Sequence, residues 1–194
     1  MEPGDTERAI YNKTIMRELK YDPRSQVIRD ICEEGGEIID AGGEAVVVRI
    51  QDKVIKVYPR NYQRSPKGAI NLIESYKVAT SRAAYTLRGR KDQLKIDGRD
   101  VEVLWEVIPV DRVYEREGFP CTESRYIAGQ STMFTFKSEA EKHAYLKKLL
   151  ELSSMLNNKL NVDFVSITPI NVKLNNDNIC QITDISATVS DIGR

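Results

Sequence analysis

Three short apolar runs separated by tight polar turns constrain the fold of this chain most strongly. The runs cover residues 37–40, 45–50 and 54–58, and the last two are rich in β-branched residues. Gly42 and Gly43 lie in the turn between the first two runs. Because each run is too short for a typical helix and is bounded by turn residues, the pattern predicts a three-stranded antiparallel meander.

Two longer segments carry the period of an amphipathic helix. Apolar residues recur every three or four positions over 68–88 and over 139–160, with Ser138 as the N-cap of the second segment. Between these helices, 94–96 and 101–110 flank an Asp-Gly pair, which is a strong signal for a β-hairpin. The central part of the chain therefore mixes helices with antiparallel strands.

The two ends of the chain add a helix and a second hairpin. Near the N-terminus, Ser25 is predicted to cap a helix over 26–34 that ends at a pair of glycines. Near the C-terminus, 172–174 and 179–182 flank four Asn and Asp residues, which favour a hairpin turn. With a further strand over 122–127, the pattern indicates the α+β class.

Composition excludes several classes of protein. The chain has 194 residues, 41% hydrophobic and 30% charged, which is typical of a globular protein. Its 29 basic and 29 acidic residues cancel, so no positive excess supports nucleic-acid binding. No apolar run approaches 18 residues, and no membrane partner is expected. Three widely spaced cysteines and the lack of a secretory signal favour a reducing, cytoplasmic compartment, and export by a signal-less route is compatible with both observations.

Lys56 is the first candidate functional residue. It lies inside the apolar run Val54–Tyr58, where a charge is costly unless it finds a partner. Gly42 and Gly43 precede it in a turn where backbone N–H groups can approach a phosphate. Glu74 follows it in the predicted helix and would pair with it if that helix packs on the sheet. The alternatives are an edge-strand lysine with its ammonium group in water and a solvated glutamate.

The order of these features resembles the protein-kinase superfamily. A glycine loop, a V-A-I-K strand and a helix-C glutamate follow each other in that family, and Val54-Ile55-Lys56 matches the V-I-K closely. Residues 125–129 resemble the kinase hinge, with Ser124 at the gatekeeper position. By this resemblance the backbone of Arg125 and Ile127 would bind adenine. The alternative is an ordinary edge strand.

The C-terminal hairpin carries the most specific match. Residues 166–172 (S-I-T-P-I-N-V) resemble the catalytic loop D-x-x-P-x-N, and Asp184 resembles the aspartate of D-F-G. An amide oxygen and a carboxylate at the two ends of a hairpin can share a Mg²⁺ that bridges nucleotide phosphates. The resemblance implies Mg²⁺ and ATP as cofactors, Asn171 and Asp184 as metal ligands, and Lys56 and Glu74 as further members of the catalytic set. Taken alone, Asp184 would be a turn residue at a strand end.

The resemblance also predicts a domain organisation. We expect an N-terminal helical extension over 1–34, a kinase-like N-lobe and hinge over 35–129, and a much reduced C-lobe over 130–194. The N-lobe would hold an antiparallel sheet plus helix C, and the C-lobe would hold a helix with the metal-binding hairpin. Only ten residues follow Asp184, so an activation segment is expected to be absent. The chain thus resembles a pseudokinase or a minimal effector kinase.

One departure bears directly on activity. Ser166 stands where kinases carry the catalytic aspartate, and serine cannot act as an accepting base near neutral pH. Asp163 would replace that base only if the loop were remodelled, and His143 is expected on a helix surface. The expected function is therefore Mg-ATP binding with weak or absent phosphotransferase activity. The hydroxyl groups proposed as sites of self-modification are those of Ser124, Ser131, Thr132 and Ser190.

A non-catalytic interaction module is the alternative function. Leu149, Leu152 and Leu156 of the long helix would then form a dimer or partner surface on an exposed underside of the reduced C-lobe. The other interpretation of this stripe is that it packs into the core. A truncated paralogue without independent activity is a third hypothesis. The segment 1–34 would either pack on the N-lobe or mask the nucleotide cleft.

Overall fold

The computed structural model describes most of the chain. The described residues are 15–16, 18–42, 44–61, 69–132, 135–160, 164–184 and 186–188. Backbone contacts group them into two units, the first drawn from Met1–Glu74 and Val110–Tyr126 and the second from Ser75–Pro109 and Ile127–Arg194. Both helices and largely antiparallel sheets are present, which confirms the α+β class. The lobe boundaries expected at 34 and 129 stay a prediction.

The first unit contains the helix α1, which the short 3-10 helix Leu19–Tyr21 precedes, and a five-stranded antiparallel sheet. Its strands are hydrogen-bonded in the order β1-β2-β3-β7-β6. This confirms the predicted meander, to which β6 and β7 add a hairpin. The elements are α1 (Ser25–Glu33), β1 (Glu37–Ala41), β2 (Val46–Ile50), β3 (Lys53–Val57), β6 (Arg112–Arg116) and β7 (Phe119–Arg125).

The α1 helix forms part of the core of the first unit. Val27, Ile28 and Ile31 are fully buried and pack with apolar residues of the sheet, because they recur at helical spacing on one face. The described part of the N-terminal segment thus packs on the sheet. The prediction that Ser25 caps this helix is wrong, because the N-cap is Arg24 and it makes no side-chain cap bond.

The second unit contains a mixed sheet, a strand pair and a long helix. The sheet order is β4-β5-β11-β10-β8, in which β5 and β11 run parallel and the other neighbours are antiparallel. The β9 and β12 strands pair separately. The helix α2 belongs to the first unit up to Glu74 and to the second from Ser75. The elements are α2 (Ala69–Leu87), β4 (Lys91–Ile96), β5 (Arg99–Val107), β8 (Gln130–Ser131), α3 (Glu139–Leu160), β9 (Phe164–Ser166), β10 (Val172–Leu174), β11 (Ile179–Ile182) and β12 (Ser186–Thr188).

The long helix α3 packs its leucine stripe into the core of the second unit. Leu149, Leu152 and Leu156 are at most 2% exposed, so the prediction that they form a partner surface is wrong. The predicted cap is confirmed: Ser138 Oγ accepts the Glu141 N–H at 3.2 Å, and the Glu141 carboxylate accepts the Ser138 N–H at 3.4 Å. Among the described residues, no helix combines the length and apolar character needed to cross a membrane.

Candidate functional site

The hairpin of β10 and β11 brings two predicted site residues to one end of the sheet. Its register pairs Val172 with Ile182. At the closed end, Asn175 Oδ1 accepts the N–H groups of Asp177 and Ile179, both at 2.9 Å. This side-chain turn fixes the register, so the residues that flank the strands must meet at the open end.

Asn171 and Asp184 lie at that open end. The carbonyl oxygen of Asn171 accepts the Thr183 N–H at 2.8 Å and the Thr183 hydroxyl at 3.0 Å. Asp184 is the next residue along the chain, and Asn171 and Asp184 are both half-buried. Two hydrogen bonds from one residue hold the two chain segments together, which fixes the backbone positions from which the amide and the carboxylate project.

Asp184 has a partner that the sequence did not indicate. Its Oδ1 accepts a hydrogen bond from the hydroxyl of Tyr76 on α2. The two residues are 108 positions apart. Tyr76 belongs to the apolar stripe of its helix, where a tyrosine is ordinarily a core residue. A contact over such a separation leaves no local pattern in the sequence, and only its aromatic hydroxyl hinted at a polar role.

Three hydroxyl groups anchor the loop that leads to Asn171. Thr132 Oγ1 and Ser131 Oγ each donate to the carbonyl oxygen of Pro169 at 3.0 Å, and Thr132 Oγ1 lies 2.6 Å from the Tyr145 hydroxyl. We call Ser131, Thr132 and Tyr145 the hydroxyl cluster. Its members are at most 6% exposed. Burial raises the pKa of Tyr145 well above its usual range, so its hydroxyl is protonated and able to donate.

Burial corrects the predicted sites of self-modification. Ser131 and Thr132 are buried and engaged with the Pro169 carbonyl, so the prediction that they are modified is wrong for this structure. Ser124 is half-buried on β7, and Ser190 lies outside the described residues. Their modification stays a prediction.

Ser166, the residue predicted to replace a catalytic aspartate, lies in a β-strand. Ser166 ends β9 and pairs with Ser186 of β12. The next residue, Ile167, donates its N–H to Ser153 Oγ on α3 at 3.1 Å, which ties the start of the loop to the helix. Asp163 lies outside the described residues, and His143 is exposed on α3 as expected.

In the first unit, Lys56 lies on a central strand. Its register partners are Val47 on β2 and Thr122 on β7, so β3 is paired on both sides and the edge-strand alternative is wrong. Lys56 is half-buried. Glu74 is exposed on α2. The ion pair between Lys56 and Glu74 that the kinase resemblance implies stays a prediction.

Arg24 holds the glycine turn in place and was missed by the sequence analysis. It is 5% exposed and donates to the carbonyl oxygens of Gly42 and Val57, both at 3.3 Å. It also forms a two-point pair with Asp22 at 2.9 and 2.7 Å. Hydrogen bonding from Arg24 lowers the pKa of Asp22 below its usual range. Gly43, the second predicted glycine, lies outside the described residues.

The predicted hinge continues β7. The Tyr126 N–H donates to the Asp52 carbonyl at 2.7 Å, so the backbone of Arg125 faces the opposite side of the strand. On that side, pairing with β6 begins at Glu123, two residues earlier. The expected adenine contact of Arg125 stays a prediction. Ile127 belongs to the second unit, and its role stays a prediction.

The donor chemistry fits Mg²⁺ better than a softer metal. Among the described residues, no group of three or more His, Cys, Asp and Glu side chains is close enough to hold a metal ion. Asn171 and Asp184 supply one amide and one carboxylate, both hard oxygen donors. Mg²⁺ commonly takes one or two carboxylates and completes its shell with water and substrate phosphate.

Comparisons with known proteins identify no family. No family model and no curated protein matches the chain. It is similar to a solved structure described as PpkA-294 in its apo form, with 17% identity, a TM-score of 0.37 and coverage of 76% of this chain and 56% of that one.

Two structures of WbdD are also similar. One is of the monomer, and the other is of a protein described as a bifunctional kinase-methyltransferase. Both are 15% identical with a TM-score of 0.34, and the matches cover 75% of this chain and 33% and 30% of theirs. The chain thus spans less than two thirds of each of the three structures. TM-scores this low do not establish a shared fold.

Proposed function

We propose that this chain is a protein-kinase-like protein that binds a Mg-ATP complex. The hairpin of β10 and β11 supports the proposal, because the 2.8 Å hydrogen bond from the Thr183 N–H to the Asn171 carbonyl joins the two backbone segments that carry the Asn171 amide and the Asp184 carboxylate. Asn171 and Asp184 would hold the cation. The cation, when bound, would neutralise charge on the nucleotide phosphates.

Features of the first unit support nucleotide binding. Lys56 lies half-buried on a strand that is paired on both sides, and Arg24 fixes the carbonyl of Gly42 in the turn that precedes it. By the kinase resemblance, the ammonium group of Lys56 would bind phosphate oxygens and the backbone of Arg125 would bind the base. Glu74 would orient Lys56.

Phosphotransferase activity is proposed to be weak or absent. Ser166 cannot accept the proton of a substrate hydroxyl at neutral pH. Positioning and charge stabilisation supply much of the catalysis of phosphoryl transfer, so slow transfer is compatible with this site. A radiolabelled phosphate-transfer assay measures it, and efficient transfer to a protein substrate would contradict the role assigned to Ser166.

A thermal-shift titration with ATP and Mg²⁺ tests nucleotide binding. A ligand present at 100 times its Kd stabilises the native state by about 2.7 kcal/mol, so the melting temperature must rise with ligand concentration. Lys56→Met and Asp184→Ala should each abolish the shift. No shift at millimolar nucleotide would overturn the proposal.

Matched controls are available for both substitutions. Asp177 is an exposed aspartate in the turn of the same hairpin, so Asp177→Ala should keep the shift. Lys53 is an exposed lysine on the same strand as Lys56, and Lys53→Met should keep it as well. Equal loss in these controls would show that the effect is not specific to the proposed site. The interaction-module alternative stays a prediction, and its partner surface would have to lie outside the buried residues Leu149, Leu152 and Leu156.

A further inference from the structure

The hydrogen bond between Tyr76 and Asp184 joins a helix to the end of the metal-binding hairpin. The hydroxyl of Tyr76 reaches Asp184 Oδ1 within the second unit. A tyrosine hydroxyl has one proton to donate, and an ionised aspartate only accepts. The Tyr76 hydroxyl is therefore the donor of this bond, and Asp184 Oδ1 is the acceptor.

The position of Tyr76 is fixed by the core of the second unit. Ala83 and Leu87 of α2 are fully buried in that core, and Ala83 lies two turns after Tyr76 on the same face of the helix. The donor is thus carried on a packed helix, and its hydroxyl oxygen is held in place for Asp184. Ile182, two residues before Asp184, is buried in the same core.

A carboxylate can serve a donor and a cation together. Its two oxygens offer about four acceptor directions, so a hydrogen bond to one oxygen does not by itself prevent a carboxylate from binding a metal ion. Carboxylates that ligate metal ions are usually hydrogen-bonded in turn, which fixes their orientation. Loss of such an outer partner typically weakens metal binding about 10- to 100-fold.

We propose that Tyr76 is a positioning residue for the divalent cation. Its hydroxyl holds the Asp184 carboxylate in the orientation that binds the cation of the nucleotide complex. The inference rests on the proposed function, since it needs a cation at Asp184. It adds to that function by making cation affinity depend on α2, an element that does not ligate the metal.

Manganese binding in the presence of ATP tests this role. Free Mn²⁺ is measured by electron paramagnetic resonance for the full chain and for Tyr76→Phe, Tyr85→Phe and Asp184→Asn. Tyr76→Phe removes one oxygen and keeps the ring, and it should weaken Mn²⁺ binding about tenfold or more. Tyr85 lies on the same helix and is 79% exposed, so Tyr85→Phe should bind Mn²⁺ like the unmodified chain.

Two further measurements separate positioning from a general structural role. The affinity for ATP in EDTA should be unchanged in Tyr76→Phe, because the hydroxyl acts through the cation site. The melting temperature without ligand reports packing alone. A lower melting temperature with unchanged Mn²⁺ affinity of the folded protein would show a merely structural role and overturn the proposal.

Mn-ATP binding by these variants distinguishes the positioning role of Tyr76 from the proposed nucleotide-binding function. If the unmodified chain binds Mn-ATP, Asp184→Asn loses the metal and Tyr76→Phe keeps it, the positioning role is overturned and the proposed function stands. If the unmodified chain binds no Mn-ATP, both are overturned.

Should Tyr76→Phe be too unstable to assay, carbon-13 NMR of ring-labelled tyrosine in the unmodified chain replaces it. The Cζ signal that moves in Asp184→Asn identifies Tyr76. Saturating Mg-ATP should leave the hydrogen-bonded Cζ shift of Tyr76 in place. A change to the shift of a solvent-exposed tyrosine would overturn the positioning role.

Discussion

We expect the hydroxyl cluster to stabilise the loop that carries Asn171. Thr132 has a single hydroxyl proton, which it donates to the Pro169 carbonyl at 3.0 Å. The 2.6 Å contact with Tyr145 must then be a donation from the Tyr145 hydroxyl to Thr132 Oγ1. Thr132→Val therefore removes an acceptor and a donor at once, with little change of shape.

The burial of both hydroxyl groups sets the expected loss in the free energy of unfolding for each variant. Thr132 is 0% exposed and Tyr145 is 2% exposed, so water cannot replace the lost partners at low cost. Leaving a buried polar group unsatisfied costs about 1–3 kcal/mol, so Thr132→Val should lower the free energy of unfolding by about 2–3 kcal/mol. Tyr145→Phe leaves only an unused acceptor on Thr132 and should cost about 1 kcal/mol. The double variant should cost less than the sum by about 1 kcal/mol, because no Tyr145 hydroxyl is left unpaired.

Urea denaturation followed by tryptophan fluorescence measures these differences. Trp105 is the only tryptophan, is 1% exposed in the core of the second unit, and has its ring centre 6.4 Å from that of Tyr145. Its signal therefore reports the unit that contains the hydroxyl cluster. Tyr85→Phe, at a tyrosine 79% exposed, is the control and should change stability by less than about 0.5 kcal/mol.

An additive double-mutant cycle would refute the proton assignment. Additivity of Thr132→Val and Tyr145→Phe would mean that the two hydroxyls do not depend on each other. Mg-ATP affinity of the folded Thr132→Val variant gives a second readout, since a loosened Pro169 should displace Asn171. Unchanged affinity would show that the cluster stabilises the unit without positioning that residue.

Two further predictions concern the first unit, each read from thermal unfolding by circular dichroism. Arg24→Leu should lower the free energy of unfolding by about 2–3 kcal/mol, because it leaves Asp22 and two carbonyl groups without their hydrogen-bond donor. Arg29 is exposed, so the control Arg29→Leu should change the free energy of unfolding little. A similar loss of stability in both variants would contradict this role of Arg24. Since the folded pKa of Asp22 is lowered, its ion pair stabilises fully above pH about 4 and is lost at lower pH, so the difference should shrink on acidification. Gly36→Ala should cost about 1–3 kcal/mol, because its Cβ would lie 2.6 Å from the Ile31 carbonyl, and an unchanged melting temperature would contradict that contact.

Local patterns predicted the elements of the chain well. The hairpin of β10 and β11 has the predicted bounds, because the Asn175 side chain fixes its turn and the turn residues are visible in the sequence. The α3 helix also has its predicted bounds, since the Ser138 cap and the leucine period are local signals. The β6 strand was missed, because the run Arg112–Arg116 contains only two apolar residues, Val113 and Tyr114, and carries little apolar signal.

Contacts between distant segments were not predictable in the same way. The parallel pairing of β5 with β11 and the hydrogen bond from Tyr76 to Asp184 join residues far apart in the chain. Arg24 anchors the Gly42 turn, 18 positions further along the chain, and no local pattern around Arg24 indicates that contact. The spacing of Asn171 and Asp184 indicated a shared site because both belong to a single hairpin. Their hydrogen-bonded partners come from other elements and leave no signature near them.

Paramagnetic broadening by Mn-ATP shows directly which residues lie next to the bound cation. Nitrogen-15 spectra of the full chain are recorded as substoichiometric Mn-ATP is added, with Mg-ATP as the diamagnetic reference. If Asn171 and Asp184 hold the cation, the amide signals of Val172 and Thr183, at the open end of the hairpin, should broaden first, whereas those of Asp177 and Asn178 at the turn should stay sharp. Broadening centred elsewhere, or no broadening at millimolar Mn-ATP, would contradict a cation site at Asn171 and Asp184.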